Sequence, residues 1–327
     1  MQTRKLGKTE CTVSAIGFGC GAISGEGRGY GFGPINDRDS ERLLHAALDS
    51  GISLYDLAPV YGFGMAEERI GRAFGHSVSL SSGRLRDKVF LISKSGITWD
   101  SRKRIHQDNR PETAVAMLNA TLRRLRTEHI DLYMIHWPEG AYGVKKTGSG
   151  PLDLADTLRA LNSERKAGKI RFLGLSNFLP EQVKPLLDVA PVSVLQNEWN
   201  YWRLHKDPVE IGQLRNFCRE NDLGLLGWGT LDKGVLSGRV TPERVFDPLD
   251  ARSWAPWWVR EDQSWKYKAL NELAPELSKQ GLNLLEFAIG QALQFPELSS
   301  ALVGMRSLDQ LKTVTAALAK LANPQST

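Results

Sequence analysis

Four side chains of different chemistry stand where short apolar runs end. Ile52, Leu54 and Tyr55 lead into Asp56, and Pro59 and Gly62 then interrupt regular structure, leaving Tyr61 in a loop just beyond. Val89-Phe90-Leu91-Ile92-Ser93 delivers Lys94, and Ile130-Asp131-Leu132-Tyr133-Met134-Ile135 delivers His136. A carboxylate, a phenol, an ammonium and an imidazole form a proton-transfer set if these strands are neighbours. A tyrosine serves as general acid when a nearby lysine cation lowers its pKa. Asp56 would hold Lys94 charged, and His136 would orient a substrate oxygen. Singly, a strand-end aspartate is usually a turn or cap residue, and a lone histidine a structural one. Four such residues on three strands point instead to catalysis.

The elements that must position them repeat as strand then helix. Arg4-Lys5-Leu6 and Thr12-Val13-Ser14 read as a hairpin across Gly7-Lys8-Thr9-Glu10. Ala15–Gly19 is the first barrel strand, followed by a loop rich in glycine from Gly21 to Gly33. Asn36 caps a first helix with Asp39 at N3, and Gly51 stops it. The later strands are Val89–Ser93, Ile130–His136, Ile170–Ser176, Val192–Gln196, Gly224–Trp228 and Ser299–Val303. Helices are expected over Glu67–Phe74, Pro111–Arg126, about Leu152–Lys166, Glu181–Val189, Val209–Asn221 and Leu308–Leu321. Eight such units make a (β/α)8 TIM barrel with an N-terminal β-hairpin, in one domain over 1–327: hairpin about 4–14, barrel about 15–321, short frayed tail 322–327. Active sites of that fold lie at the C-terminal strand ends, where Asp56, Lys94 and His136 fall. The seventh unit has a long β7–α7 loop between Trp228 and Ser299, with room for an extra helix and an apolar, core-packed segment from Leu282 to Phe295.

Leu54-Tyr55-Asp56-Leu57-Ala58-Pro59-Val60-Tyr61-Gly62, Ser93-Lys94 and Asp131-Leu132-Tyr133-Met134-Ile135-His136-Trp137 resemble the signatures of the aldo-keto reductase superfamily. The resemblance runs from Leu6 to about Leu318. It implies NADPH-dependent reduction of an aldehyde or ketone, reversibly, with Tyr61 as acid, Lys94 lowering its pKa, Asp56 holding Lys94 and His136 orienting the carbonyl. NADP(H) is the implied cofactor, with NAD(H) possible. Gly174-Leu175-Ser176-Asn177-Phe178 resembles the family's GLSNF, in which Ser176 and Asn177 would bind the nicotinamide carboxamide, with Gln196 as a third ligand. Trp228 takes the place of an aromatic that stacks on the nicotinamide ring; alone it would read as a barrel-wall tryptophan. Leu231, Gly234, Leu236 and Arg239 match a turn that meets the pyrophosphate, and Gly304, Arg306 and Gln310 a helix start that holds the adenosine phosphate. The chain departs from the family at Gly229-Thr230 (usually Ser-Pro), at Val303, at Val314 (often Asn) and at Ala66 (a capping Ser).

Gly17-Phe18-Gly19-Cys20-Gly21-Ala22 also matches the G-x-G-x-x-[G/A] dinucleotide pattern. That motif must open a helix at once, and the glycines from Gly25 to Gly33 forbid one. For the substrate, Tyr30, Phe32, Trp137, Trp254, Trp257 and Trp258 fall on top-face loops and suit planar or sugar-like ligands. Two other readings compete: a cofactor-retaining epimerase or dehydratase on the same barrel, and a non-catalytic regulatory subunit.

Composition narrows the classes. The chain has 327 residues, 41% of them hydrophobic, and a net charge of +5 from 42 basic and 37 acidic residues. The excess is small and dispersed, and the densest basic run, Arg102-Lys103-Arg104, reads as a solvated loop rather than a nucleic-acid site. Three cysteines (Cys11, Cys20, Cys218) with no metal or CxxC spacing point to reduced thiols and a cytoplasmic setting. No metal is expected. Nothing resembles a signal peptide, and no apolar run approaches the roughly 20 residues that span a bilayer. The expected partner is a small carbonyl substrate, without nucleic acid or membrane; the sequence leaves the oligomeric state open.

Overall fold

A computed structural model describes residues 1–25, 29–75, 78–79, 83–138, 145–146 and 154–322. Eight parallel strands close into a barrel: β1 Ile16–Gly19, β2 Leu54–Asp56, β3 Phe90–Ser95, β4 Ile130–Ile135, β5 Ile170–Ser176, β6 Val192–Glu198, β7 Gly224–Trp228 and β8 Leu298–Val303. Each is followed by a helix: α1 Asp37–Asp49, α2 Met65–Ile70, α3 Pro111–Leu125, α4 Leu154–Lys166, α5 Pro180–Val183, α6 Pro208–Glu220, α7 Leu284–Leu293 and α8 Leu308–Ala322. The expected (β/α)8 barrel is therefore the fold. Both faces of the sheet are buried, which explains the continuous apolar runs that announced the strands.

The barrel interior holds Leu54, Phe90, Ile92, Leu132, Met134, Val194, Leu226 and Leu302 in one cluster. Side chains alternate in and out with period two, so the next inward positions are Asp56, Lys94, His136, Gln196, Trp228 and Gly304. Strand register keeps these level enough to meet: Asp56 pairs with Ile92 across β2–β3, and Lys94 with Met134 across β3–β4. The polar layer is thus the uppermost layer of an otherwise apolar stack. Gly17 on β1 has no room for a side chain, since a Cβ there would lie 2.6 Å from Leu54 Cδ2 and 2.7 Å from Leu302 Cδ2.

The hairpin Thr3–Lys5/Thr12–Ser14 covers the opposite end. Leu6 and Val13 join the interior cluster, and the Arg4 guanidinium donates to the carbonyls of Leu293, Phe295 and Leu298.

Local sequence explains most helix bounds. Asn36 Oδ1 accepts from the Asp39 amide at 2.8 Å, the expected N-cap. Pro111 opens α3 and Arg126 closes it with φ 53. Asn283 and Glu286 form a reciprocal capping box for α7, which buries Leu285, Ala288, Ile289 and Ala292.

Other bounds differ. The helix expected over Glu181–Val189 is α5 followed by a 3-10 turn, Lys184–Leu186, because Pro185 lacks an amide donor. The helix expected over Glu67–Phe74 starts earlier, at Met65, and gives way to a π turn, Gly71–Gly75. The extra helix of the β7–α7 loop is Ser264–Lys279. A helix Tyr201–Lys206 after β6 and a small sheet of Ile97–Trp99, Ile105–Gln107 and Lys145–Lys146 were not anticipated. The Arg102-Lys103-Arg104 run is the turn of that sheet, where Asp100 accepts from the Arg102 and Arg104 amides. The expected start of the fourth helix at Leu152, the tail after Ala322 and Gly27 lie outside the described residues. No described helix is long and apolar enough to cross a membrane.

Candidate active site

The four strand-end residues converge. Lys94 Nζ lies 2.7 Å from Asp56 Oδ1 and donates to the Leu57 carbonyl at 2.8 Å. Both side chains are buried, and a buried ion pair survives only with such full bonding. The Lys94 ammonium stands 5.5 Å from the centroid of the Tyr61 ring. The His136 ring meets Tyr61 edge-on, with centroids 6.3 Å apart.

Burial dominates the electrostatics of the set. Enclosure pushes the Tyr61 phenol well above its ordinary pKa, and Asp56 and Cys20 push the same way. The Lys94 ammonium beside the ring does not offset that rise. Tyr61 therefore keeps its proton at neutral pH. Enclosure drives the His136 imidazole well below its ordinary value, and the Lys94 cation adds to the shift. His136 is accordingly neutral.

A cleft of about 1030 Å³ opens above this set and runs outward between β1, β8 and the β7–α7 loop. Ser176, Asn177, Gln196 and Trp228 form a polar girdle along it. Asn177 adopts φ 65 and donates to the His136 carbonyl at 2.9 Å and to Ser176 Oγ at 3.0 Å. The Trp228 indole donates to Asn177 Oδ1 at 2.8 Å. Gln196 Nε2 donates to Asp56 Oδ1 at 2.8 Å, so the girdle is wired directly to the ion pair. That link crosses from β6 to β2 and had no signal in the sequence.

The outer end is built from loops. Leu231, Gly234, Arg239, Gly304, Arg306 and Gln310 all line the cleft. Leu236 does not: it is fully buried in a cluster with Trp202 and Ala288, because the 3-10 turn Asp232–Ser237 rotates it inward. Arg306 donates to the Pro34 carbonyl at 2.6 Å, and its amide donates to Gln310 Oε1 at 2.6 Å. Its buried Nε has no partner among the described residues. The sequence reading missed Arg244 and Arg252, which also line this end. Basic residues recur along the β7–α7 loop, but nothing local says which of them face inward.

The aromatic residues assigned to the substrate divide. Tyr30, Phe32, Trp137 and Trp257 line the cleft, and Tyr30 and Trp137 pack with Val60 and Ile97 against Tyr61. Trp254 does not line it; its ring packs 5.5 Å from that of Tyr30 and backs it from outside. The loop after β1 is fastened over the cleft by the Ala251 amide on the Gly31 carbonyl at 2.8 Å and by a bridge between Phe32 and Asp250. The G-x-G-x-x-A stretch runs from β1 into a 3-10 turn, Cys20–Ile23, and α1 begins only at Asp37.

These residues fit an extended dinucleotide. The cleft is long, its floor comes so close at Gly19 that a Cβ would lie 3.3 Å from the Gly304 amide, and its far end holds a buried, unpartnered guanidinium nitrogen suited to an anion. Residues 15–326 match the model of the Aldo/keto reductase family. An aldo-keto reductase of Bacillus subtilis is 30% identical over 317 residues, 96% of this chain and 88% of that protein. An aldo-keto reductase of Schizosaccharomyces pombe named for NADP(+) is 32% identical over 278 residues, 85% of this chain and 74% of its own. Among solved structures, a glycerol dehydrogenase from Gluconobacter oxydans superimposes with a TM-score of 0.75 at 28% identity, covering 98% of this chain and 94% of its own. The chain belongs to the aldo/keto reductase family and is an oxidoreductase.

Proposed function

We propose that this enzyme reduces a small aldehyde or ketone to the alcohol with NADPH, reversibly, as one catalytic domain in the cytoplasm. The observation that carries the reading is the meeting of a buried Lys94–Asp56 pair with Tyr61 and His136 at the inner end of the dinucleotide-shaped cleft. Ser176, Asn177, Gln196 and Trp228 would hold the nicotinamide; Leu231, Gly234 and Arg239 the pyrophosphate; and Gly304, Arg306 and Gln310 the adenosine phosphate. A reduced nicotinamide, when bound, supplies the hydride.

The chain's own residues handle the proton and the charge. Tyr61 holds its proton in the resting site and gives it to the carbonyl oxygen as negative charge develops there. The phenolate left behind is supported by the Lys94 ammonium, which Asp56 and the Leu57 carbonyl fix in place. Neutral His136 orients the substrate oxygen without competing as a cation. Val60, Ile97, Trp137 and Trp257 wall the reacting end against water.

Mixing the protein with NADPH and a panel of carbonyls, and following nicotinamide absorbance and products, tests this. Cofactor oxidation matched by alcohol formation is expected. Interconversion of substrate without net cofactor oxidation would favour the epimerase or dehydratase reading. Cofactor binding without turnover across the panel would favour the regulatory one.

A further inference from the structure

Tyr61 stands on a segment whose own sequence does not hold it. The three residues after it, Gly62, Phe63 and Gly64, are all left-handed, with φ of 64, 54 and 99. For Phe63 that conformation is strained. The helix that follows, α2, has only six residues and no side chain bonded to its N-terminus. So short a helix does not persist on its own propensity. Its position must come from what it is fastened to.

Two residues of α2 do the fastening: Arg69, which donates to Asp37 and to the Ile23 and Ile35 carbonyls, and Glu67, which is fully buried and reaches the strand of Lys94. Glu67 Oε1 accepts from Ser93 Oγ at 2.7 Å and Thr121 Oγ1 at 2.8 Å, and its Oε2 accepts from Arg124 Nε at 2.6 Å. Ser93 precedes Lys94 on β3, so one carboxylate ties the helix behind Tyr61 to the strand that carries Lys94. Arg124 extends the grip. A Cβ on Gly64 would lie 2.7 Å from Arg124 Cδ, so the guanidinium arm lies flat under the left-handed turn. A buried carboxylate with three donors is a rigid joint, because loosening any bond leaves charge unmatched in a dry interior.

We infer that Glu67 is a positioning residue that sets the Tyr61 hydroxyl against Lys94 and the substrate oxygen. The inference rests on the reading of Tyr61 as the acid. Glu67 touches no part of the cleft, so its effect must pass through geometry, where a displacement of about 1 Å costs roughly a hundredfold in rate.

The test uses Glu67→Gln and, with the charges left paired, Ser93→Ala, beside Tyr61→Phe. Glu67→Gln should lower kcat by about 10- to 100-fold. NADPH dissociation should stay within about twofold of the parent, and the solvent deuterium isotope effect on kcat should rise as proton transfer becomes limiting. Ser93→Ala, which removes one strut, should lose severalfold less and shift the isotope effect the same way; it also serves if Glu67→Gln does not fold. Unchanged kcat in a folded variant would overturn the inference. So would kcat and cofactor affinity falling together with the isotope effect unmoved, the pattern of a merely destabilised fold. If Tyr61→Phe itself retained turnover, the acid assignment would fail, separately from the role of Glu67.

Discussion

The two ends of the cleft are built by different means. At the inner end Asp56, Lys94, His136 and Gln196 leave strands or strand ends in fixed register, one inward position above the apolar layer, and Tyr61 reaches them from the turn after β2. Asp56 has two donors and Lys94 two acceptors, and both are buried. At the outer end the charged groups stand on loops. Arg239 and Arg244 are exposed, and Arg252 is fixed by both oxygens of Asp250. Arg306 is half-buried and held through the Pro34 carbonyl. A strand-built site tolerates little movement and suits chemistry. A loop-built one selects among ligands through charge and can change without disturbing the barrel.

The sharpest way to break this contrast is at Tyr61. Tyr61→Phe should cut turnover by about two orders of magnitude or more while cofactor affinity stays nearly the same. Turnover above half the parent value, in a rate-limiting chemical step, would remove Tyr61 from the acid's role.

At the outer end, Arg306→Ala should weaken NADPH binding by roughly 10- to 100-fold, the loss of one charge-assisted contact of about 1.5–3 kcal/mol. NADH binding should barely move. Quenching of tryptophan fluorescence gives both constants. Equal weakening of the two cofactors would show that Arg306 acts only through its tether to Pro34, and would point to Arg239 or Lys233 for the phosphate.

Between the two ends lies the aromatic wall. Trp257→Ala should reorder a panel of carbonyls by kcat/KM, with changes of up to about tenfold, the scale of a few lost apolar contacts. Trp254→Ala should act more weakly and through Tyr30, because only Trp257 lines the cleft. An unchanged order in both variants would remove the β7–α7 loop from substrate selection.

The smallest effect is on stability. His136 has a lowered pKa when folded, whereas the unfolded chain takes up that proton near pH 6.5. The unfolded state therefore binds more protons in that window, and stability is lost as pH falls below about 6.5, by at most about 1.4 kcal/mol per pH unit. Thermal midpoints between pH 7.5 and 5.5 should fall less steeply in His136→Gln than in the parent. Equal slopes would mean that His136 takes up its proton as readily in the folded site as in the unfolded chain.

How much was legible in advance follows the same division. The strands announced themselves as apolar runs because both sheet faces are buried, and the residues ending those runs had to lie at one end of the barrel. That placed Asp56, Lys94 and His136 together without coordinates. The loop residues carried no such constraint. Leu236 shares a turn with Leu231 and Gly234, yet the turn's direction sends it to the core. Trp254 and Trp257 lie three residues apart, yet only the second reaches the cleft.

The sequence by itself determined the fold class, the strand ends and which side chains gather at one end of the barrel, because period and chain punctuation are local properties of neighbouring residues. Only the tertiary structure decided three other things. One is that Gln196 is wired to Asp56 across the barrel mouth. Another is that enclosure keeps the Tyr61 phenol protonated even beside the Lys94 cation. The last is that Glu67, 26 positions from Ser93 along the chain, braces the helix behind Tyr61. Charge balance and bonding in a buried site depend on which groups share a few ångströms of space, and that is fixed by packing between distant segments rather than by the residues on either side.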